Sequence, residues 1–230
     1  MMDFIGAALL FVFSHFALSA YPVRSRLVGR MGYWPFFGLY SVISVMAMWW
    51  MVSAYGHAPK IELWQPPVAF RHIAISVMPL VCILLVAGYT SANPTAVGFS
   101  AFKGLERGPH GVFRITRHPI LWGIALWALA HMLANATAPD FVLFSSMALL
   151  SAGGAWHMDK RKSIELGDDW DAYIFATSSI PFAAILDGRQ RFVFSEIGTW
   201  RIAVGLMLYI GLLVVHKTVT GVSPLPLPMP

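Results

Sequence analysis

The chain has 230 residues, of which 57% are hydrophobic and only 12% are charged, and its formal net charge is +5. Soluble domains carry about 25% charged residues, so this composition excludes an ordinary soluble protein and predicts a membrane protein. The positive charge does not indicate a nucleic-acid partner, because the basic residues lie in short loops between long apolar runs, where they set membrane topology. The single cysteine, Cys82, excludes an internal disulfide and a cysteine-rich zinc site.

Six apolar segments approach the length of about 20 residues that a membrane-spanning helix needs. In chain order they cover residues 4–21, 33–55, 73–90, 119–134, 141–157 and 202–215. The fourth and sixth are short, and Pro79 interrupts the third, where it predicts a kink. The sequence therefore predicts an all-α transmembrane bundle of six spanning helices. We expect one domain over residues 1–217 and an extended proline-rich tail over residues 218–230.

The basic residues are divided unevenly between the two sides of this predicted bundle. Thirteen lie in or beside the first, third and fifth loops, and only three lie on the other side. Because the side richer in Lys and Arg faces the cytoplasm, we expect both termini to be periplasmic. The expected location is the inner (plasma) membrane, with the lipid bilayer as the main partner.

A surface helix is predicted in the last predicted cytoplasmic loop. Residues 159–173 combine mixed charges with helical spacing, which is typical of a helix that lies on the membrane surface. We expect Ile164, Trp170 and Tyr173 to turn inward and the clustered acidic residues to form the solvated face.

Two of the eight histidines lie inside predicted spanning segments: His15 in the first and His131 toward the end of the fourth. Ionisable side chains within a membrane are rare and commonly functional. The apolar segments hold no carboxylate for a proton relay, and imidazole is the usual axial ligand of haem iron in helix bundles, so these histidines suit haem or a metal. The alternative is a histidine that bonds to a neighbouring helix. His57, His110 and His216 are interpreted as interfacial or loop residues.

A second candidate site precedes the fourth segment. Thr116 can cap a helix, and Pro119 suits its first turn. Arg117 and His118 would then lie at the positive end of that helix, on the cytoplasmic surface. This position suits an anionic group such as a phosphate, a carboxylate or a haem propionate. The alternative is a basic anchor beside the membrane.

Several spaced motifs together resemble the NnrU family over roughly residues 3–217. The motifs are His15 with Ser19 and Arg24, Arg30 with Gly32, Thr116-Arg-His-Pro119, Leu126-Trp-Ala-Leu-Ala-His131 with Asn135, and Thr177-Ser-Ser-Ile-Pro-Phe182. The family is associated with denitrification and nitric-oxide handling. It is also similar to the plant 15-cis-zeta-carotene isomerases, which are membrane enzymes with a b-type haem.

The resemblance implies a haem b whose iron is bound by His15 and His131, since these positions match the ligands proposed for the plant enzymes. Arg24 and Arg117 would pair with the haem propionates. Counting residues from the cytoplasmic side places His131 roughly 10 Å deeper than His15, and His118 about as much shallower. Whether His131 or His118 pairs with His15 therefore stays open. We prefer His131 because an unpaired imidazole is least tolerable deep in the membrane.

The expected function is thus a haem-b-binding membrane protein that acts as a redox-dependent isomerase, with a hydrophobic small molecule as substrate, or that serves nitrogen-oxide metabolism. One alternative is an S-adenosylmethionine-dependent membrane methyltransferase, because residues 117–123 also resemble the Arg-His-Pro-x-x-x-Gly stretch of isoprenylcysteine carboxyl methyltransferases. The paired glutamates of those enzymes are missing at residues 159–162. The other alternative is a non-enzymatic membrane assembly factor.

Overall fold

A computed structural model of the chain describes residues 1–96 and 99–225. Over these residues the structure is helical, apart from turns and one isolated β-bridge between Glu62 and Thr137. Eleven α-helices occur in the described part of the chain, together with a short 3₁₀ helix at Gly111–Arg114. They are α1 Met2–Ser19, α2 Tyr21–Met31, α3 Tyr33–His57, α4 Val68–Thr90, α5 Phe99–Arg107, α6 Pro119–Ala134, α7 Ala138–Leu166, α8 Asp168–Ala176, α9 Ala183–Leu186, α10 Phe194–Ile197 and α11 Thr199–Thr220.

The predicted all-α bundle is confirmed, and each of the six predicted segments falls on one long helix, except that the first was predicted two residues too long and reaches the start of α2. Five of these helices, α1, α3, α4, α7 and α11, are long and apolar enough to cross a membrane. The sixth, α6, has 16 residues, or roughly 24 Å of helix against a hydrocarbon core of about 30 Å. The chain is therefore a multi-pass membrane protein, and α6 is the shortest of its six long helices.

The long helices pack in the order α11, α4, α6, α7, α1, α3, so α11 and α3 form the two edges. The core between α1, α3, α6 and α7 is built mainly from alanine, phenylalanine and methionine side chains, and the small alanines let the helices approach closely. Its buried members include Phe4, Phe11, Ala128 and Phe144. On α11 only Gly205 is buried, so the edge helix is held against α4 along one narrow line.

The loops meet at two opposite ends of the bundle, as the sequence predicted for alternating spans. At one end, Leu63 and Ala138 bond to the backbone of the opposite loop at 2.7 and 2.8 Å, which joins the α3–α4 loop to the α6–α7 loop. At the other end, which we call the basic end, Arg24 on α2 pairs with Glu165 on α7 at 3.1 Å. The segments that carry most of the basic residues therefore share one end.

The prediction of a surface helix over residues 159–173 was wrong about where the helix begins and right about two of its three buried residues. Residues 159–166 continue α7, and the new helix α8 begins only after Gly167, whose φ of +56° suits glycine and breaks the helix. Trp170 and Tyr173 are buried as predicted, whereas Ile164 is exposed. At the other terminus, α11 runs to Thr220, so the predicted tail begins inside this helix. Residues 226–230 of that tail lie outside the described residues.

Candidate functional site

The stretch from Thr116 to Pro119 is used to join α6 to its neighbours. Pro119 occupies the first turn of α6 as predicted, but the predicted cap by Thr116 was wrong, because the N-cap position is occupied by His118, whose side chain makes no capping hydrogen bond. The Thr116 hydroxyl instead donates to the Ser179 carbonyl at 2.7 Å and accepts a bond from the His118 amide at 3.2 Å. Thr116 therefore ties the start of α6 to the segment after α8.

One carboxylate on α7 binds both of the predicted cofactor-binding residues at the start of α6. Asp159 Oδ2 accepts bonds from Arg117 Nε and Nη2 at 2.9 and 2.7 Å, and Asp159 Oδ1 accepts from His118 Nε2 at 2.9 Å. The His118 residue is 1% exposed. Burial lowers the pKa of His118, and this effect outweighs the hydrogen bond to Asp159, which raises the pKa. A neutral His118 thus donates to Asp159, and both side chains serve contacts within the protein.

His15 lines a cavity of about 250 Å³ at the basic end, between α1, α3 and α7. Its Nδ1–H donates to the Phe11 carbonyl at 2.7 Å, so its Nε2 is free to accept a bond or bind a metal. Tyr40, Arg24 and His157 line the same cavity. The structure therefore brings Arg24, one predicted propionate partner, close to His15.

Two residues that line this cavity each carry a side-chain nitrogen that is buried without a hydrogen bond in the described structure. These nitrogens are His157 Nε2 and Arg161 Nε. Buried polar atoms are nearly always paired, either within the protein or with a water or ligand. Together with His15 and Tyr40, they place several polar groups around a cavity whose lining is mostly apolar.

His131 lies near the opposite end, in a different cavity. Its Nδ1–H donates to the Trp127 carbonyl at 2.8 Å, and its ring packs against the rings of Trp127 and Phe144. The neighbouring ring in this cavity is His216 of α11, with its centroid 6.5 Å from that of His131. Arg71 of α4 lines the same cavity.

The structure does not bring His15 and His131 together. The α6 residue that lines the His15 cavity is Leu121, which precedes His131 by ten residues, or roughly 15 Å of helix. Two nitrogens that bind one iron from opposite sides lie about 4 Å apart, since a metal–imidazole bond is roughly 2 Å. These two histidines therefore do not fit a single iron in this arrangement, and neither His118 nor Arg117 lines the cavity of either one.

Sequence reasoning missed two residues of these sites. Asp159 was assigned to a solvated acidic face, and only the tertiary structure shows that it binds Arg117 and His118. His216 was interpreted as an interfacial residue, yet it is the ring nearest to His131 in their shared cavity. The available signal was the position of His216 on an apolar helix, about one turn before that helix ends at Thr220. The sequence pattern alone does not indicate which neighbouring helix His216 faces.

Comparison with known proteins places these features in context. The NnrU family model matches residues 3–224. The chain is 42% identical over 84 residues to the chloroplastic 15-cis-zeta-carotene isomerase of Arabidopsis thaliana, which is 35% of this chain and 22% of that protein. The enzyme of Zea mays is 41% identical over 85 residues, with the same coverage. The matched region thus spans about a fifth of the length of each of these relatives. No solved structure matches the chain significantly.

Proposed function

The chain belongs to the NnrU family, and from this premise we propose that it binds haem b and acts as a redox-dependent isomerase of a hydrophobic small molecule. The partial similarity to 15-cis-zeta-carotene isomerases supports this reaction class. A role in nitrogen-oxide metabolism, which the family association suggests, would use the same haem. The proposed location is the inner membrane, with both termini in the periplasm.

The observation that carries the proposal is the orientation of the two intramembrane histidines. His15 and His131 each donate Nδ1–H to the carbonyl four residues earlier, which fixes the tautomer and leaves Nε2 free. Histidines that bind metals are commonly oriented in this way. Each Nε2 belongs to a residue that lines a cavity, as a haem ligand requires.

The haem would supply an iron whose oxidation state governs whether the conjugated double bonds of a substrate are rearranged. The residues of this chain would orient the ligating imidazoles and exclude water. Trp127 and Phe144 pack against His131 and serve the second task. The aromatic contacts also limit rotation of the imidazole.

A hydrophobic substrate is supported by a third cavity. It has a volume of about 460 Å³, lies between α6 and α7, and is lined almost entirely by apolar side chains such as Trp122, Ala148 and Ala152. Pockets of roughly 300–1,000 Å³ commonly hold small molecules. An Ala148→Trp variant, which fills this cavity, should reduce turnover of a polyene substrate while leaving haem content unchanged.

The two alternatives have less support. A methyltransferase would need Arg117 and His118 to contact S-adenosylmethionine, but Asp159 binds both side chains and encloses His118. Calorimetry with millimolar S-adenosylmethionine should therefore detect no binding. An assembly factor would keep its function after His15→Ala and His131→Ala replacement, whereas a haem isomerase would lose activity in at least one of them.

The experiment that tests the proposal is a visible spectrum of the protein purified in mild detergent after haem supplementation. The matched control is His57→Ala, because His57 makes the same bond to the carbonyl four residues earlier, at 2.8 Å, on an exposed helix end. We expect His57→Ala to keep the haem spectrum of the native protein. His131→Ala should alter it. Native protein without a Soret band would refute haem binding.

A further inference from the structure

Two cavities adjoin at the basic end, where α1 and α2 lie beside α7. The first is the cavity of about 250 Å³ that His15 lines, and the second has a volume of about 230 Å³. His157 and Arg161 of α7 line both cavities, so the two spaces meet along one side of this helix. We call the two cavities together the basic-end site.

The basic-end site carries more positive charge than its own residues balance. Its lining includes Arg24, Lys160 and Arg161, and none of the described residues that line it is acidic. The carboxylate beside it is that of Glu165, whose Oε1 atom lies 3.1 Å from Arg24 Nε and 4.0 Å from Arg161 Nε. One carboxylate is therefore shared by two guanidinium groups, and Lys160 adds a third positive charge.

Both arginines keep hydrogen-bond donors available. Arg24 donates to Glu165 through Nε, and its guanidinium carbon lies 5.2 Å from the centre of the Phe36 ring. Its two Nη groups make no hydrogen bond within the described part of the chain. Arg161 makes none there either, since the Glu165 oxygen at 4.0 Å is too distant. Planar guanidinium groups of this kind suit a phosphate, whose oxygens accept paired N–H bonds.

The rest of the lining indicates an anion that carries a hydrocarbon chain. Phe16, Phe37 and Leu150 line the first cavity, and Tyr21 and Trp156 line the second. Tyrosine and tryptophan near the ends of spanning helices commonly lie at the level of the lipid headgroups. Helix α2 contains three arginines and no buried residue, which is typical of a helix on the membrane surface. Basic pockets between spanning helices at such a surface bind anionic headgroups.

We propose that the basic-end site binds an anionic membrane lipid, whose phosphate accepts hydrogen bonds from Arg24 and Arg161. Both Nε atoms lie within 4.0 Å of the same carboxylate oxygen, so one phosphate can reach both guanidinium groups. Lys160 contacts the outer part of the headgroup, and an acyl chain lies along Phe16 and Phe37. This inference does not depend on haem, because a protein that binds no hemin still has the same unbalanced charges.

The test measures lipid binding to the full-length protein by native mass spectrometry in mild detergent, with phosphatidylglycerol and phosphatidylcholine as probes. A double variant, Arg24→Gln with Arg161→Gln, is compared with the matched control Arg26→Gln with Arg30→Gln. The control removes two exposed arginines of α2 that line neither cavity. Loss of two charge-assisted contacts should weaken phosphatidylglycerol binding at least about tenfold. The control should bind phosphatidylglycerol like the native protein, and phosphatidylcholine should bind weakly to all three.

A Glu165→Gln variant keeps the test decisive if the double arginine variant folds poorly. It leaves every cation of the site in place and removes the carboxylate that competes for both guanidinium groups. Phosphatidylglycerol should therefore bind this variant more tightly than the native protein. A purely structural arginine cluster predicts the opposite result, because Glu165 joins α7 to Arg24.

Three results would overturn the inference. The first is an equal loss of phosphatidylglycerol binding in the two double variants, which would indicate general attraction to a basic surface. The second is weaker binding to Glu165→Gln. The third is release of the lipid by millimolar inorganic phosphate but not by chloride at the same ionic strength, which would assign the site to free phosphate.

Discussion

Gly205 on α11 lies directly against Ile83 on α4: a Cβ added at Gly205 would stand 2.9 Å from the Ile83 Cα atom. Gly205 is the one buried residue of this edge helix, whose other residues are exposed or only partly buried. It therefore fixes the position of α11 and, with it, the placement of His216 beside His131.

A Gly205→Ala variant should be less stable than the native protein by about 1–3 kcal/mol, the usual cost of overpacking. Gly211→Ala is the matched control, since it lies in the same helix and a Cβ there meets nothing within 4 Å. Because alanine favours helix over glycine by about 1 kcal/mol, Gly211→Ala should be neutral or stabilising. Thermal unfolding in detergent measures both, and equal stabilities would contradict the close contact.

An Asp159→Ala variant should lose about 3–5 kcal/mol of stability, because it leaves Arg117 and His118 without the carboxylate that binds both. The control is Asp187→Ala, which removes the carboxylate of an exposed ion pair with Arg189. Its loss should be small, because exposed pairs contribute little. If the two variants unfolded at the same temperature, Asp159 would not have the joining role we assign to it.

The ion pair between Arg114 and Glu196 predicts a pH-dependent contribution to stability. The Arg114 guanidinium at 2.8 Å, together with the Gly111 amide, lowers the pKa of Glu196 from 4.5 to about 2. A carboxylate with a lowered pKa stabilises the fold above its unfolded pKa, and this contribution is lost as pH falls toward the folded value.

Glu196→Gln should therefore lower stability at pH 7, by up to about 1 kcal/mol for a partly exposed pair. The difference between variant and native protein should shrink between pH 4.5 and pH 2, where the native carboxylate becomes protonated. Unfolding curves recorded across this range measure the effect. A difference that stays constant down to pH 2 would exclude the ion pair as its cause.

The proposed orientation can be tested with single cysteines, because the natural Cys82 is fully buried and gives little background. Lys60→Cys lies in the α3–α4 loop and Arg191→Cys after α9, and both positions are exposed. A membrane-impermeant maleimide should label Lys60→Cys in cells with a permeabilised outer membrane. It should label Arg191→Cys only after lysis, and the reverse pattern would place the termini in the cytoplasm.

The sequence was sufficient to predict the long helices, because their length and apolar composition are local properties. Residue counts along α1 and α6 also predicted different depths for His15 and His131, and the two residues line different cavities. The neighbours of each helix could not be predicted. Spans that are apolar on all sides carry no periodic pattern that marks one face as buried.

Two contacts were missed because of that limit. His216 was interpreted as interfacial, and nothing in α11 indicates that its ring lies beside that of His131. Asp159 was assigned to a separate surface helix because the charged stretch has helical spacing on both sides of Gly167. Its hydrogen-bond partners, Arg117 and His118, are distant from Asp159 in sequence, and only the packing of α6 on α7 brings the three residues together.

The visible spectrum of the detergent-purified, haem-supplemented protein tests the central claim most directly. The account predicts stoichiometric haem with a Soret band that shifts on reduction with dithionite, and a low-spin form that depends on His131. A clean, folded preparation that shows no Soret band after supplementation would contradict it.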